Sequence, residues 1–368
     1  MNELNKKKIF VAVTNDVSTD QRVHKVCTYL NGKGFDVVVY GRILSHTFEV
    51  KTDYTIKRIN HYFNHNFLFY AEYNLRLLWY LFFHKFDYIV SNDLDTLPAC
   101  FIGSKIRKTT LVYDSHEYFT EVPELQDRKL VKNVWLCLEK LILPRVKNAI
   151  TVSEAIADEY KKKYGVQMSV LRNMPILTRE ISYKAVSFPT TNKVVLYQGV
   201  LNPGRGIKPM IMALKLLKNV DLVIIGYGKV KDELVKFVKE KNLEKRVHFL
   251  GRIAHDKLAC YTKIADVGMV LEETLGKSFE YSLPNKLFDF IHAGIPIIAS
   301  PNIEVKKIVD TYGVGLIIEN YTPEHIADTI NILLNDVELK VKIKLNQVRA
   351  KKHLCWEQDV KILDDLFY

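Results

Sequence analysis

Short runs of β-branched and aromatic residues alternate with helical patterns along almost the whole chain, in two successive series. The first series predicts strands at 8–14, 36–40, 88–91, 110–114 and 149–152. The second predicts strands at 193–197, 221–225, 247–250, 266–270, 295–299 and 314–318. Repeated strand–helix alternation predicts parallel sheets with helices on both faces, because a parallel connection must cross the sheet. Two series predict two Rossmann-like halves.

The length of 368 residues suits two domains better than one. The stretch 175–193 is polar, contains Pro189 and lacks periodicity, so we expect the hinge there. The sequence therefore predicts an α/β chain with a first domain at 1–180 and a second at 181–349. Ligands of open α/β sheets bind beyond the carboxyl ends of the strands, so a cleft between the two domains is the expected site.

The net charge indicates the class of partner, and the cysteines indicate the cellular compartment. A formal net charge of +11 favours an anionic partner, but the lysines are not gathered into a nucleic-acid motif, so no nucleic acid is expected. The five cysteines lie far apart without a C-x-x-C pair, which argues against disulfides or a zinc site and indicates a cytoplasmic compartment. We find no apolar run of about 18 residues and no signal-peptide pattern, and we expect neither a spanning helix nor a cleaved leader.

Residues 61–87 are dense in aromatic side chains interleaved with His, Arg and Lys. One interpretation is a core helix of the first domain. The other is an amphipathic surface for an anionic membrane, with the aromatic rings at headgroup depth. The second interpretation would add a peripheral position on the inner face of the plasma membrane, and the exposure of the rings separates the two.

The glycine-rich stretch QGVLNPGRGIKP, residues 198–209, joins a predicted strand to a predicted helix. Gly199, Gly204 and Gly206 would let backbone amides approach a ligand closely. Arg205 can grip a phosphate with two parallel hydrogen bonds, and a helix N-terminus favours anions. The stretch lacks the G-x-x-x-x-G-K-[ST] pattern, so a phosphate site and an ordinary glycine-rich connection both remain open.

A second candidate anion site lies in YSLPNKLFDFIHAGIPIIAS, residues 281–300. Pro284 suits the start of a helix, whose free amides and Lys286 would face a diphosphate. Asp289, one helical turn later, is a polar residue among apolar ones. Its carboxylate could accept hydrogen bonds from ribose hydroxyls, as in dinucleotide folds. Compensation of the helix dipole is the alternative role for Asp289.

Titratable residues follow a predicted strand of the first half, in VYDSHEYFTEVPE at 112–124. They are Asp114, His116, Glu117 and Glu121. Histidine titrates near neutrality and can donate or accept a proton at a reacting centre. The place of His116 at the carboxyl end of a strand favours a functional over a structural role.

The stretch TNDVSTDQR, residues 14–22, follows the first strand in the same way. It brings Asp16 and Arg22 to the edge where ligands of the first domain are expected. Arg22 could bind a phosphate or an acceptor. The alternative is that Asp20 caps the following helix and Arg22 is solvated.

Three pieces of the sequence together resemble family-4 glycosyltransferases of the GT-B fold: YDSHE at 113–117, YQGVLNPGRGI at 197–207 and SLPNKLFDFIHAGIPIIAS at 282–300. The resemblance covers nearly the whole chain. It implies two Rossmann-like domains facing across a cleft, with the C-terminal segment 350–368 packing back on the first. It also implies retaining transfer of a sugar from a nucleotide-diphosphate donor, UDP- or GDP-linked, to a glycan or lipid-linked acceptor in surface-polysaccharide assembly.

The resemblance also assigns roles to residues. Arg205 and Lys286 would hold the diphosphate, Asp289 would replace the glutamate that binds ribose, and His116 would lie beside the donor sugar. The catalytic set is therefore His116, Arg205 and Lys286. The donor-binding set is Gly199, Gly204, Arg205, Gly206, Arg252, Pro284, Asn285, Lys286, Leu287 and Asp289. The acceptor or cleft set is Asp16, Arg22, Glu117 and Glu121. The family usually needs no bound metal, so neither a metal nor another cofactor is expected.

The sequence departs from the family pattern at three positions. Many members carry two glutamates eight positions apart, where this chain has Tyr281 and Asp289, and many carry an arginine where it has Val200. Three alternatives therefore stay open: another GT-B activity, such as an epimerase or inverting transferase; a non-catalytic nucleotide-sugar-binding protein; or a membrane-recruited interaction protein of the same fold.

Overall fold

The structure is a computed structural model that describes residues 6–44, 49–177, 185–273 and 275–367. The chain forms two compact units. One comprises Met1–Arg172 and Asp359–Tyr368, and the other comprises Asn173–Gln358. The chain thus leaves the first unit after Arg172 and returns to it after Gln358.

The described part of the first unit contains one parallel sheet with helices between its strands. Its strands are β1 Lys8–Ala12, β2 Asp36–Arg42, β3 Thr55–Ile59, β4 Tyr88–Asn92, β5 Thr110–Ser115, β6 Asn148–Thr151 and β7 Ser169–Val170. Its helices before the chain leaves this unit are α1 Gln21–Gly32, α2 Asn66–Phe83, α3 Asp93–Arg107, α4 Pro123–Gln126, α5 Lys129–Ile142 and α6 Glu154–Tyr164. The strand order is β3-β2-β1-β4-β5-β6-β7.

The described part of the second unit has the same plan. Its strands are β8 Lys193–Gln198, β9 Val220–Ile225, β10 Val247–Gly251, β11 Val267–Val270, β12 Ile297–Ala299 and β13 Gly315–Ile317. Its helices are α7 Ile207–Ala213, α8 Lys231–Glu240, α9 His255–Lys263, α10 Lys277–Glu280, α11 Asn285–Ala293, α12 Ile303–Tyr312, α13 Pro323–Asn335 and α14 Val337–His353. The order β10-β9-β8-β11-β12-β13 is parallel throughout.

Both sheets confirm the predicted α/β class and its two Rossmann-like halves. In each sheet the order reverses beside the first strand of the unit, between β1 and β4 and between β8 and β11. Every predicted strand is present. The two strands that the sequence analysis missed are β3 and β7, which lie at the edges of the first sheet.

Helix α2 confirms the core interpretation of residues 61–87 and leaves the membrane interpretation a prediction. Four side chains pack into the core of the first unit: Phe69, Tyr73, Leu77 and Leu81. The opposite face of the same helix is exposed, so the helix both closes the core and presents apolar rings to solvent. Among the described residues, no helix is both long and apolar enough to cross a bilayer.

Three helices lie side by side on one face of the first sheet. They connect β3 to β4, β4 to β5 and β5 to β6, and right-handed crossovers in one direction across a parallel sheet place their helices on one face. The contacts agree: a Cβ at Gly103 of α3 would meet Leu81 of α2 at 2.8 Å. The rings of Tyr70 on α2 and Trp135 on α5 are 5.2 Å apart.

The C-terminal segment enters the first unit at Asp359, the last residue of α15 Trp356–Asp359, and continues as α16 Ile362–Phe367. Asp359 pairs with Arg172 at 2.8 Å, and the carbonyl of Phe367 accepts from the Tyr88 hydroxyl at 2.8 Å. The unit boundaries therefore lie at other residues than the predicted 180/181 and 349/350, because α14 packs into the second core. Of the predicted hinge, residues 178–184 lie outside the described part of the chain.

Candidate functional site

The candidate site of the second unit lies at the carboxyl ends of β8 and β11, the neighbouring strands beside which the strand order reverses. Ligands of open α/β sheets bind at such a switch point. The loop that carries Arg205 leaves β8, and Glu272 follows β11 by two residues. Lys286 reaches the same place from the first turn of α11.

Gly206 allows the loop after β8 to approach β11. Its φ is +60°, a left-handed conformation that side chains other than glycine rarely adopt. A Cβ at this position would meet the Leu271 Cβ at 2.7 Å. Since Leu271 immediately precedes Glu272, this close approach brings Arg205 beside the Glu272 carboxylate.

Glu272 is the centre of this site. Its side chain is fully buried, and its two oxygens face different cations. Lys286 Nζ lies 2.7 Å from Oε1, and Arg205 Nη1 donates to Oε2. The backbone of Glu272 is held as well, because its N–H donates to Ser300 Oγ at 2.9 Å and its carbonyl accepts from the Tyr321 hydroxyl at 2.6 Å.

Aromatic rings hold both cations from a second side. Lys286 Nζ lies 4.3 Å from the ring centroid of Tyr197, and Arg205 Cζ lies 4.8 Å from that of Phe279. A cation over a ring face is attracted by the ring quadrupole. Lys286 is 7% exposed, and the Arg205 side chain is 27% exposed. The two predicted diphosphate ligands therefore lie together, positioned by one carboxylate and two rings.

The turn before α11 has the predicted form, with Pro284 as the N-cap residue and Asn285 exposed at the first helical position. Leu287 corrects one predicted contact. Its side chain is fully buried in the core of the second unit, and its N–H donates to the Pro284 carbonyl at 3.0 Å. Both its side chain and its amide are thus engaged within the protein.

Asp289 is half-buried and tied to the end of β8. Its Oδ2 accepts from Gln198 Nε2 at 2.9 Å, and Gln198 Oε1 accepts from Thr262 Oγ1 at 2.7 Å. Gln198 is the last residue of β8, so this network places the Asp289 carboxylate at the same sheet edge as Arg205. A ligand hydroxyl that binds Asp289 would meet a carboxylate already oriented by the protein.

The remaining predicted donor contacts lie in loops at this edge. Gly199 is exposed directly after β8, and a Cβ at Gly204 would meet the Leu275 side chain at 2.5 Å. Arg252 follows β10 and is exposed, with Cζ 5.0 Å from the ring centroid of Tyr227. Within the described residues, no three or more His, Cys, Asp and Glu side chains are grouped so as to hold a metal ion.

The candidate site of the first unit is centred on His116, which follows β5. Its Nδ1 lies 3.6 Å from Asp93 Oδ2, and its Nε2 lies 3.4 Å from Asp114 Oδ2 and 3.1 Å from Asn92 Oδ1. Its backbone N–H donates to Asp93 Oδ1 at 2.8 Å. Asp93 has a φ of +58°, a conformation that non-glycine residues seldom adopt and that marks strain at functional sites.

The carboxylates around His116 set its charge. Burial alone would lower the pKa of the imidazole, but Asp93 and Asp114 outweigh it and raise that pKa to about 9. The ring is therefore an imidazolium at neutral pH, which can donate hydrogen bonds from both nitrogens but cannot accept a proton. Burial has the opposite effect on the neighbouring carboxyl and raises the pKa of Asp95 to about 7, with Asp93 adding to the shift.

Arg22 is neither solvated nor open to a ligand. It is 3% exposed, pairs with both oxygens of Asp114 at 2.6–3.2 Å, and donates to the Leu171 carbonyl at 2.5 Å. Burial would raise the pKa of Asp114, but Arg22 and His116 outweigh it and hold that pKa well below its usual range. The predicted contact of Arg22 with a phosphate or acceptor is replaced by a buried ion pair that orients the neighbour of His116.

The other predicted acceptor-side residues each make a different contact. Asp16 is 7% exposed and accepts from the Ser18 N–H at 3.0 Å, which caps a short 3₁₀ helix. Glu121 pairs with Lys132 at 3.0 Å, and Glu117 is exposed directly after His116. Asp20 caps α1 by accepting from the Val23 N–H at 3.0 Å, which confirms the predicted cap, whereas the solvated Arg22 predicted with it is wrong.

Two central residues escaped the sequence analysis. Asp93 follows β4 in the stretch SNDLDT, and Glu272 follows β11 in VLEET. Both strands were predicted, and the rule that ligands bind beyond strand carboxyl ends would have selected both carboxylates if it had been applied to every strand. The sequence analysis selected the glycine-rich and SLPNK turns as candidate anion sites instead.

Comparisons with known proteins agree with this architecture. A family model described as "Glycosyltransferase Family 4" matches residues 20–174, and one described as "Glycosyl transferases group 1" matches residues 178–349. A D-inositol 3-phosphate glycosyltransferase of Corynebacterium glutamicum is 24% identical over 198 residues. That alignment covers 51% of this chain and 46% of the relative, so the chain spans about half the length of this curated relative.

Two solved structures share the fold over nearly their whole length. Sucrose-phosphate synthase from Thermosynechococcus elongatus superposes with a TM-score of 0.81 at 17% identity, covering 98% of each chain. Anabaena Alr3699/HepE, solved in complex with UDP-glucose, superposes with a TM-score of 0.74 at 18% identity, covering 98% of this chain and 99% of that chain. Together with the two consecutive family matches, these findings show that the chain belongs to the family-4 glycosyltransferases of the GT-B fold.

Proposed function

We propose that this protein transfers a sugar from a UDP- or GDP-linked donor to a glycan or lipid-linked acceptor, with retention, in the assembly of a surface polysaccharide. The observation that carries the proposal is the convergence of Arg205 and Lys286 at the switch point of the second unit. Two cations at that edge suit a diphosphate. Retention and the acceptor class rest on the family resemblance.

The chemistry that this arrangement supports is stabilisation of the leaving group. When the bond between the sugar and the diphosphate breaks, negative charge develops on the diphosphate, and positioned cations stabilise that charge without reorganising. Arg205 and Lys286 are positioned in this way by Glu272 and two rings. We propose that they perform the neutralisation that a metal ion performs in other transferases, so that no metal is required.

We propose that His116 acts as a charged hydrogen-bond donor to a sugar hydroxyl rather than as a general base. An imidazolium with a pKa near 9 holds its proton at neutral pH. Asn92 and Asp114 engage the Nε2–H, and Arg22 holds Asp114 in turn, so the proposed donor is the Nδ1–H, 3.6 Å from Asp93. A donor fixed in this way discriminates between sugars by the position of the hydroxyl that it meets.

The raised pKa of His116 predicts a pH dependence of stability. Because the folded pKa of about 9 exceeds the unfolded value of 6.5, this stabilisation is complete below about pH 6.5 and is lost as the pH rises through about 9. We expect the contribution to be about 3 kcal/mol. The measurement is the difference in Tm between the wild type and His116→Gln from pH 6 to pH 10, which should narrow across this window. A difference that stays constant with pH would contradict the assigned charge.

We further propose that the first unit binds the surface of an anionic membrane. The outward face of α2 carries large apolar side chains, each more than half exposed: Phe67, Leu68, Leu75, Trp79, Phe82 and Phe83. The neighbouring helices α3 and α5 extend this surface with Ile102, Ile106, Leu130, Val131, Val134 and Leu141, each more than a third exposed. We call this surface the three-helix face. Exposed apolar patches of this extent mark interaction sites.

The charges of the three-helix face favour anionic lipid as the occupant. The acidic side chains of α2, α3 and α5 are buried or half-buried, namely Glu72, Asp93, Asp95 and Glu139. Lys105, Lys129 and Lys140 of the same helices are exposed. Apolar side chains at headgroup depth beside lysines suit a bilayer with negative surface potential. A lipid-linked acceptor would be presented at that surface.

Vesicle sedimentation tests this surface. We expect the protein to bind vesicles containing phosphatidylglycerol more tightly than vesicles of phosphatidylcholine alone, and the binding to weaken as salt rises. Trp79→Glu and Leu130→Glu should each lower the affinity by roughly tenfold or more, since each removes an apolar side chain that enters the membrane. Val341→Glu, at a 54% exposed position of α14 in the second unit, is the matched control and should bind like the wild type. Equal losses in all three variants would contradict the assignment to this face.

The proposed transfer is tested by release of free nucleoside diphosphate from a panel of UDP- and GDP-linked sugars, with and without lipid extracts as acceptor source. We expect release from one donor class, faster with acceptor present. Tight donor binding without release under any condition would favour the non-catalytic alternative. Vesicle binding without nucleotide binding would favour the interaction protein.

A further inference from the structure

We propose that Glu272 is an internal counter-anion that positions Arg205 and Lys286 and competes with the ligand diphosphate for them. The inference rests on the proposed function of this site and deepens it. It assigns a positioning role to a carboxylate that lies beside the proposed anion site and would repel a bound anion. Glu272 thereby limits how tightly the nucleoside diphosphate product is held.

Glu272 depends on the two cations to stabilise its buried charge. The carboxylate is fully buried, so it has no water to solvate its charge, and its two oxygens each face one cation. Removing an anion from water is costly unless cations and hydrogen bonds replace the hydration. Arg205 and Lys286 supply that replacement, and Glu272 therefore draws them together.

The charges of Arg205, Lys286 and Glu272 do not cancel. Two cations and one carboxylate leave a single net positive charge among the three side chains that form this cluster. A diphosphate approaching the same cations would share them with Glu272 rather than meet them unpaired. The Glu272 backbone is anchored to Ser300 and Tyr321, which holds the residue within side-chain reach of both cations.

This arrangement predicts opposite effects on binding and on turnover when the charge is removed. Glu272→Gln keeps the shape of the side chain but leaves two cations without their shared anion. A bound anion would then relieve their repulsion, so affinity for the diphosphate should rise. The amide cannot pair with both cations, since its NH₂ group only donates. The cations should therefore lose their alignment, and kcat should fall.

The experiment measures affinity for inorganic pyrophosphate and for UDP and GDP by calorimetry, together with kcat, in the wild type, Glu272→Gln and Glu273→Gln. Glu273 is the matched control, because it is the adjacent carboxylate and accepts from the Gly206 N–H instead of pairing with these cations. We expect Glu272→Gln to bind pyrophosphate about tenfold more tightly than the wild type, with a lower kcat. Glu273→Gln should show no comparable gain.

The outcomes separate this inference from the proposed function. If the wild type binds UDP or GDP while Glu272→Gln binds pyrophosphate no more tightly, the inference alone is overturned. If neither protein binds any of these ligands, the diphosphate site itself fails. Should Glu272→Gln not accumulate as folded protein, expression and refolding with pyrophosphate present become the measurement. The proposal requires the anion to rescue folding, and equal insolubility with and without it would overturn the proposal.

Discussion

Lys286→Ala is expected to lower kcat for sugar transfer by about 100- to 1000-fold, and Arg205→Ala by a similar factor. Each substitution removes a preorganised cation from the place where charge develops on the leaving diphosphate. Lys286 is held by Glu272 and the Tyr197 ring, and a water molecule in its place would carry no positive charge. A steady-state assay of nucleoside diphosphate release at saturating donor measures the loss.

Two controls test whether misfolding, instead of the missing cation, explains the loss of kcat. In Lys286→Ala, Arg205 still pairs with the buried Glu272, so we expect circular dichroism to report a retained fold. Lys193→Ala is the matched control, because Lys193 is an exposed lysine at the opposite end of β8, paired with Asp266 at 3.0 Å. Wild-type turnover in both Lys286→Ala and Arg205→Ala would remove the diphosphate assignment.

Arg22→Met is expected to cause the largest loss of stability, about 3–5 kcal/mol in the free energy of unfolding. The substitution leaves Asp114 charged and buried with 1% exposure, and it also removes the donor to the Leu171 carbonyl. Arg22→Lys should not restore the loss fully, since an ammonium cannot reproduce the paired guanidinium bonds to both oxygens of Asp114. Chemical denaturation followed by circular dichroism measures the change.

Lys33→Met provides the control at the end of the same helix. Lys33, the C-cap residue of α1, also forms an ion pair, with Asp364 at 2.9 Å, but both partners are more than a third exposed. Exposed pairs contribute little, because water and salt already screen them. Similar midpoints for Arg22→Met and the wild type would show that the buried pair does not carry the stability that its burial indicates.

The strands were predictable because each central strand is an apolar run bounded by turn residues. VVLYQ in β8 and DLVII in β9 are buried on both faces, as parallel strands between helix layers are. The edge strand β3, TIKRI, is half-exposed and carries two basic residues, so no apolar run marks it. This strand forms because it pairs with β2, although its own sequence has no apolar run.

The candidate sites were predictable only in part. Arg205, Lys286 and His116 follow strands or begin helices, and the topology of parallel sheets places such residues at one edge. Their partners depend on packing between distant segments. Arg22 and Asp114 are 92 residues apart, and Arg205 and Glu272 are 67 apart. No local pattern indicated that Arg22 would turn inward, or that one buried carboxylate would join the two cations.

The central claim is that the second unit binds a nucleoside diphosphate, and a thermal-shift panel of UDP, GDP, ADP and their common sugars tests it most directly. A ligand at 100 times its dissociation constant adds about 2.7 kcal/mol of stability, which is enough to raise Tm visibly. We predict that one base raises Tm in the wild type and that the shift is lost in Arg205→Ala and Lys286→Ala. The absence of a shift with every nucleotide would contradict the account.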